Sequence, residues 1–433
     1  MKIWMSTIVL VLLGFTPIDP AQAEEKPLSV KEKKALVAEA LELGSRAMGE
    51  QRARQLEIFG RFGGEDALTS REDKKWRSYL LEVWVNLPGL PETKGDNFSW
   101  EDERKGRYIV GGKSKKPTAL MIGMHGGGVG SGDAGSSAGW YSGPAASHKW
   151  VAIFPEVLEK TERGWTDAGT EEWVWDLVEQ ARRSFGVDAD HVYLVGHSMG
   201  GYGSWTLGGH HADRVAALAP SAGAPTPILD RATNRIVAID AGVVPNLRNV
   251  PMVVYQSIDD PRVPPDANQF AVAEVAKAKE LYGGYEDFMY WEVDGEGHGP
   301  PPGGPGAHVD KIQTFVREPI QDVVVWQPTL DWKRQFYWLF WEQPSPRATV
   351  IGRIDRETNT VAVEVKLRSQ KNRGQGLAVL LDERLVDFER EVIVTLDGEE
   401  VFRGTPERRL EVLLDTSTSG DPGRQYSARV NLR

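Results

Sequence analysis

The sequence predicts an α/β chain: a mostly parallel sheet with helices on both faces, followed by a small all-β domain. Three observations carry this reading. Between about residues 76 and 320, short apolar runs alternate with helical stretches, the pattern of a parallel sheet covered on both sides. One of those runs breaks into Gly196-His197-Ser198-Met199-Gly200, the punctuation of a strand, a sharp turn and a helix. Beyond about Val323 the long helical patterns disappear, and alternation of period two takes over.

The elements follow in order. Lys2, the apolar run from Ile8 to Phe15 and Ala21-Gln22-Ala23 before Glu24 read as a cleavable signal peptide over residues 1–23, cut after Ala23. The run is too short to span a bilayer, so the mature chain is expected to be exported, periplasmic or secreted, without an integral membrane anchor. Residues 24–75 form a helical segment, with Ala35, Leu36, Ala38, Leu41 and Leu43 recurring near helical spacing. It is expected to pack on the main domain as a cap or brace.

Residues 76–320 make the catalytic domain. Its candidate strands are Tyr108–Val110, Ala119–Met124, Val151–Phe154, Val192–Val195, Val215–Leu218, Met252–Tyr255 and Phe288–Val293. Helices are expected over Glu171–Ser184 and Pro265–Leu281. Residues 321–346 form an aromatic-rich connecting segment, too apolar to be a free linker. Residues 347–433 form the C-terminal β-rich domain, with Asp397-Gly398 as a hairpin turn after Val392–Leu396.

Composition narrows the partners. A net charge of −11 argues against nucleic acid and anionic membrane. There is no cysteine, hence no disulfide framework and no lipid anchor on a cysteine. An exported chain without disulfides fits a bacterial periplasm or medium. The 15 tryptophans are expected chiefly to fill cores.

The turn at Ser198 is where chemistry is expected. A serine on so tight a turn is strained, and neighbours two positions away lie against it, so Gly196 and Gly200 lack a Cβ. A nucleophilic serine needs a base and an acid, which follow it along the chain in this architecture. His298 lies in Asp294-Gly295-Glu296-Gly297-His298-Gly299-Pro300, directly after the strand ending at Val293, and is the expected base. His210 and His211 sit too close after the turn and read as solvated helix-end residues. His308 reads as structural. The acid should follow Met252–Tyr255. Asp260, in Asp260-Pro261-Arg262-Val263-Pro264, is preferred over its neighbour Asp259. The loop His125-Gly126-Gly127-Gly128 should supply an oxyanion hole through Gly126 and Gly127, with Met199 N–H as the other donor and His125 bracing the loop. No metal-ligand cluster is visible, and neither metal nor cofactor is expected. No candidate lies beyond His308, so residues 347–433 should carry no chemistry.

Two other matches are weighed against these. Gly135-Ser136-Ser137-Ala138-Gly139 repeats the serine pattern, but it follows no strand, and Ser137 reads as loop. Gly130-Ser131-Gly132-Asp133-Ala134-Gly135 matches a dinucleotide fingerprint with Glu156 downstream. It starts six residues past a strand end, and the segment after it reads as a poor helix, which disfavours a nicotinamide enzyme.

The run Gly186-Val187-Asp188-Ala189-Asp190-His191-Val192-Tyr193-Leu194-Val195-Gly196-His197-Ser198-Met199-Gly200-Gly201 resembles the α/β-hydrolase superfamily. It is most similar there to exported esterases, to polyhydroxybutyrate-depolymerase-like and dienelactone-hydrolase-like enzymes, and to the catalytic domain of prolyl-oligopeptidase-like peptidases. The resemblance covers about residues 105–318. It implies an α/β-hydrolase fold and a metal-free Ser-His-Asp enzyme acting on an ester, either a small molecule or polymer-linked. The C-terminal part resembles β-rich extensions of exported bacterial hydrolases. A serine peptidase is the alternative, although only about 80 mature residues precede the core and they look helical rather than propeller-like. An inactive hydrolase fold serving as a binding module is the alternative of another class.

Overall fold

The computed structural model describes residues 28–432 except 65–66, 101, 103, 114 and 368–374. The expected signal peptide and its cleavage site lie outside the described residues. The central sheet has eight strands: β1 (Gly95–Phe98), β2 (Arg107–Gly112), β3 (Leu120–Met124), β4 (Val151–Pro155), β5 (Val192–His197), β6 (Ala217–Ser221), β7 (Met252–Ser257) and β8 (Phe288–Val293). Their order is β1-β2-β4-β3-β5-β6-β7-β8. The pairs β1/β2 and β2/β4 are antiparallel, and every later pair is parallel. Phe288–Val293 is present as expected, Val215–Leu218 becomes Ala217–Ser221, and each other expected strand is present with its ends moved by no more than two residues; β1 was not expected.

Alternating residues of these strands feed two cores. Ile122, Leu194 and Val254 face one side and pack with Trp175, Leu177, Trp205 and Val275 from the helices α5 (Thr170–Phe185), α6 (Met199–His210) and α7 (Asp266–Tyr282). Met121, Val195 and Val253 face the other side, against Tyr141 of α4 (Ala134–Ser147) and Ile312 of α8 (Gly304–Ile312). The five central strands from β3 to β7 are buried at almost every position, as a sheet covered on both faces requires.

Helix α4 corrects the reading of its segment as loop. Asp133 accepts a hydrogen bond from Ser136 N at 3.0 Å, and Glu156 accepts one from Ala134 N at 3.1 Å, so the helix start is capped. Packing against β2, β4 and α8 outweighs the poor propensity of Gly143 and Pro144. The dinucleotide-like run therefore does open a helix. Its acidic partner Glu156, however, is spent on the α4 amide and on Arg107 and Lys160.

The aromatic segment is part of two C-terminal sheets. Val323–Trp326 edges a five-stranded sheet with Ala348–Asp355, Thr360–Leu367, Val392–Leu396 and Glu399–Gly404. Gln335–Phe336 and Leu339–Trp341 join Leu377–Leu381 and Ala428–Asn431 in a four-stranded sheet. Asp397 (φ 52°) and Gly398 (φ 86°) make the expected tight hairpin turn. This region also contains a helix, α9 (Leu410–Ser417), so it is not the all-β domain that its alternating pattern predicts. Its eight residues are too few for periodicity to announce them.

The segment from Val30 to Phe62 is two helices, α1 (Val30–Leu43) and α2 (Gly49–Gly63). A third, α3 (Ser70–Val85), runs through the boundary placed at residue 76. All three pack on α9: Val37, Ile58, Phe62, Leu80 and Trp84 share a core with Leu410, Leu413 and Leu414. Their apolar faces thus meet the C-terminal region rather than the central sheet.

Buried ion pairs tie these parts together. Arg52 of α2 bonds Asp415 of α9 at 3.0 Å and Glu342 at 2.6 Å. Arg317 bonds Asp421 at 2.7 Å, and Arg46 bonds Glu179 at 3.0 Å. Burial alone would raise the Glu179 carboxyl, but Arg46 and Arg214 outweigh it and hold it down to about 2. Arg52 and Arg429 overcome burial in the same way and hold Asp415 to about 2. These values lie below those of an unfolded chain, about 4. The pairs therefore contribute stability above about pH 4.5 that is lost as pH falls toward 2. The urea midpoint is expected to hold from pH 7 to 5 and to fall steeply below about 4.5. A midpoint unchanged down to pH 2.5 would show that these pairs contribute nothing.

Candidate active site

Strand β5 hands over to α6 at Ser198, whose φ of 60° and ψ of −122° are strained for a residue with a Cβ. Ser198 N donates to Ser221 O at 2.9 Å, and Tyr202 N donates to Ser198 O at 3.1 Å, which holds the turn from both ends. A Cβ on Gly196 would run into the Gly200 carbonyl, and one on Gly200 into the Met124 carbonyl. Both obstacles are backbone that cannot swing away, which is why the turn takes glycine at these positions.

Parallel pairing sets Ser257 beside Val293, so the loops after β7 and β8 emerge together. The first carries Asp260 and the second His298. Asp260 Oδ2 lies 2.7 Å from His298 Nδ1, and His298 Nε2 lies 3.0 Å from Ser198 Oγ. A carboxylate only accepts, so Nδ1 carries the proton and Nε2 is left to accept from the serine hydroxyl. The other Asp260 oxygen accepts from Arg262 N at 2.8 Å and Val263 N at 2.9 Å. Its side chain is fully buried. Asp259 is exposed and faces elsewhere. It accepts from Ser257 Oγ at 2.5 Å and Gly297 N at 3.0 Å, lashing the two loops together.

The glycine loop after β3 is braced through carbonyls. Val157 N donates to His125 Nε2 at 3.2 Å, which places the ring proton on Nδ1, and Nδ1 donates to Gly126 O at 2.8 Å. Burial pushes the His125 pKa down and keeps the ring neutral. Trp165 Nε1 donates to His125 O at 3.3 Å. In a trans peptide the N–H points away from the C=O, so the Gly126 and Gly127 amides turn away from these braces. Among the described residues neither has a protein acceptor, and Met199 N–H is one of the orphan amides at the α6 start. Gly126 stands against the serine: a Cβ there would lie 3.1 Å from Ser198 Cβ.

These groups open on a cavity of about 1050 Å³. One wall is α4, with Trp140 and Ser137. Another is a hairpin of Pro227–Leu229 and Ile236–Ile239 that contributes Leu229 and Ile236. Sequence reasoning missed both walls. Ser137 is a buried helical residue whose Oγ donates to Ala134 O at 3.1 Å.

His197 was also missed, although it stands inside the serine motif. Its ring centroid lies 4.7 Å from those of both Trp140 and His298, and its Nδ1 lies 2.9 Å from Ser221 Oγ. Burial first, and then His298, push it down to about 4. A neutral ring thus packs against His298 without adding a second positive charge.

His308 is structural, with Nε2 2.6 Å from Val253 O. His210 and His211 are buried, not solvated, and flank Glu171 of α5 at 3.0 Å each. The helix they end is covered by α5 and the aromatic segment, which the local pattern does not reveal. Among the described residues no group of acidic and imidazole side chains is arranged to hold a metal, and no helix is long and apolar enough to cross a membrane.

No family model matches the chain. Over 81 residues it is 31% identical to a bifunctional acetylxylan esterase/xylanase of Neocallimastix patriciarum, a match spanning 18% of this chain and 12% of that protein. Among solved structures, a thermostable esterase aligns with 18% identity and a TM-score of 0.37, covering 51% of this chain and 62% of the other. Esterase 2 of Thermogutta terrifontis aligns with 17% identity and a TM-score of 0.37, covering 48% and 87%. A ferulic acid esterase of Anaeromyces mucronatus aligns with 15% identity and a TM-score of 0.36, covering 51% and 88%. The strand order β1-β2-β4-β3-β5-β6-β7-β8, with the strained serine between β5 and α6, is the α/β-hydrolase fold.

Proposed function

We propose that the chain is an exported serine hydrolase that cleaves carboxylic esters through an acyl-enzyme. The observation that carries this reading is the continuous hydrogen-bonded line from Asp260 through His298 to Ser198 beside two unpartnered glycine amides. In the proposed reaction His298 Nε2 takes the proton of Ser198 Oγ as the oxygen attacks the ester carbonyl. Asp260 holds the tautomer and stabilises the imidazolium. The amides of Met199, Gly126 and Gly127 receive the oxyanion, each donor contributing about 3 kcal/mol in comparable sites. His298 then protonates the leaving alcohol, and water repeats the sequence to free the acid. No step calls for a metal.

The cavity supports an ester with a bulky group on at least one side. Trp140, Tyr202, Leu229 and Ile236 supply apolar wall. The local match to an acetylxylan esterase agrees with an acylated polysaccharide. A series of p-nitrophenyl esters of rising chain length, with acetylated xylan and feruloyl esters, defines the acyl group.

Two measurements test the roles. Ser198→Ala is expected to lower kcat by about 10⁴- to 10⁶-fold and to abolish labelling by a fluorophosphonate, while Ser137→Ala keeps both. Labelling that survives Ser198→Ala would move the nucleophile elsewhere, and a wild-type chain that takes no label would be a binding module. The two aspartates separate by geometry. Asp260→Asn is expected to lower kcat by about 10⁴-fold through the wrong imidazole tautomer. Asp259→Asn is expected to lower it by less than about tenfold, since an amide oxygen still accepts from Ser257 Oγ and Gly297 N. The reverse order, in variants with native circular dichroism, would overturn the assignment of the acid.

A further inference from the structure

A second cavity lies just past the end of α6, where His211 and Arg214 meet Ser45, the four-stranded C-terminal sheet and α9, and none of its lining residues borders the Ser198 cavity. Its volume is about 30 Å³, the share of roughly one water molecule in the liquid. Four cationic side chains line it: Arg214, Lys333, Arg334 and Arg424, all more than nine-tenths buried. Two carboxylates bond three of them, and none among the described residues bonds Arg334. Asp213 is shared between Lys333 Nζ and Arg424 Nη1, each at 2.7 Å. Glu179 is shared between Arg214 at 2.7 Å and Arg46 at 3.0 Å. Arg334 has no carboxylate bonded to it and donates only to the carbonyls of Ala47 at 3.0 Å and Ser45 at 3.3 Å. Asp415 also reaches the wall, but it is taken by Arg52 and by Arg429, the latter at 2.6 Å. Glu342 is bonded twice by Arg52, and Glu171 stands 3.0 Å from His211 on the cavity wall.

A donor is left over as well: Arg424 Nε is buried without a hydrogen-bond partner among the described residues. An uncompensated buried cation is expensive, and proteins pair it, neutralise it or surround it with acceptors. Burial and the nearby Arg52 push the Arg334 guanidinium down to about 10, a sign of how poorly its charge is compensated.

We propose that this cavity binds one small monovalent anion of halide size, held among Arg334, Arg424, Lys333 and Arg214, and that the anion pins the C-terminal sheets to the catalytic domain. A tetrahedral oxyanion is larger than the space.

The test uses the full chain and needs no substrate. Thermal unfolding is followed as gluconate is exchanged for chloride or bromide at constant ionic strength, with sulfate as control. Tm is expected to rise saturably with either halide, by roughly 3 to 6 °C, while sulfate produces only the unsaturated drift of a general salt effect. Crystals soaked in bromide should show an anomalous peak between the Arg334 and Arg424 guanidinium groups. In Arg334→Met the halide dependence should vanish, with a gluconate Tm no lower than the wild type's. Equal Tm in gluconate and halide together with no bromide peak would overturn the proposal and leave an ordinary solvated cavity. Should Arg334→Met fail to fold, the wild-type titration and the bromide peak still decide.

Discussion

The site depends on how closely backbone can approach backbone around Ser198. The turn from β5 to α6 places the serine in a left-handed conformation, and a crowded set of carbonyls keeps it there. The Gly200 carbonyl lies against Gly196, that of Met124 against Gly200, that of Ser198 against Gly223, and that of Ser221 against Gly201. Each contact excludes a Cβ, so four glycines form one steric unit drawn from β5, α6 and the strand-end loop after β6. The same closeness brings the β3 loop to the serine, because Gly126 touches Ser198 Cβ from the other side. Nucleophile and oxyanion donors are therefore positioned by a single constraint, and the strain at Ser198 is sustained by packing on all sides.

Imidazole chemistry completes the arrangement. His298 and His125 each use one ring nitrogen as donor and the other as acceptor, so neither spends a buried charge. His125 orients peptides, while His298 bridges a carboxylate and a hydroxyl. His197 lies between Trp140 and His298, and its ring also hydrogen-bonds the His298 backbone. Its depressed basicity matters here. A second imidazolium beside His298 would oppose the positive charge that His298 must take up, whereas a neutral ring leaves the stabilisation to Asp260.

Much of this was legible in the residues because local rules dominate there. Strand runs at β3, β5 and β7 are continuous apolar segments bounded by turn residues, and the groups of interest follow their carboxyl ends. What was not legible depends on tertiary cover. Apart from Trp140 and Tyr141, helix α4 is built of glycine, serine and alanine, with a proline near its end; it forms because small residues let it lie close on β2 and β4. His210 and His211 look solvated in a helix-end pattern, yet α5 and Trp332 cover them. The hairpin Pro227–Leu229/Ile236–Ile239 has too few apolar positions to stand out, although it walls the cavity. Asp259 and Asp260 could be ranked by motif alone, but only the paired loops reveal that the outer one ties them together.

The C-terminal region was read as an added domain, and its contacts argue for a different relation to the rest. Trp326, Phe336 and Trp338 belong to the same apolar core as Trp175 and Trp205. Gly420 lies so close to the Trp84 ring that no Cβ would fit. Arg317, near the end of the sheet domain, reaches Asp421, and Arg52 near the start reaches Asp415. A buried ion pair adds little net stability over an apolar pair, but removing one member leaves a charge stranded. Charge pairs distributed in this way make the three regions interdependent: none can leave without exposing cations that the others neutralise. The aromatic core supplies the adhesion, and the ion pairs set the register in which helices, sheet domain and C-terminal strands meet. That register fixes the back of α5 and α6, and α6 is the helix whose first turn carries Met199 and follows Ser198.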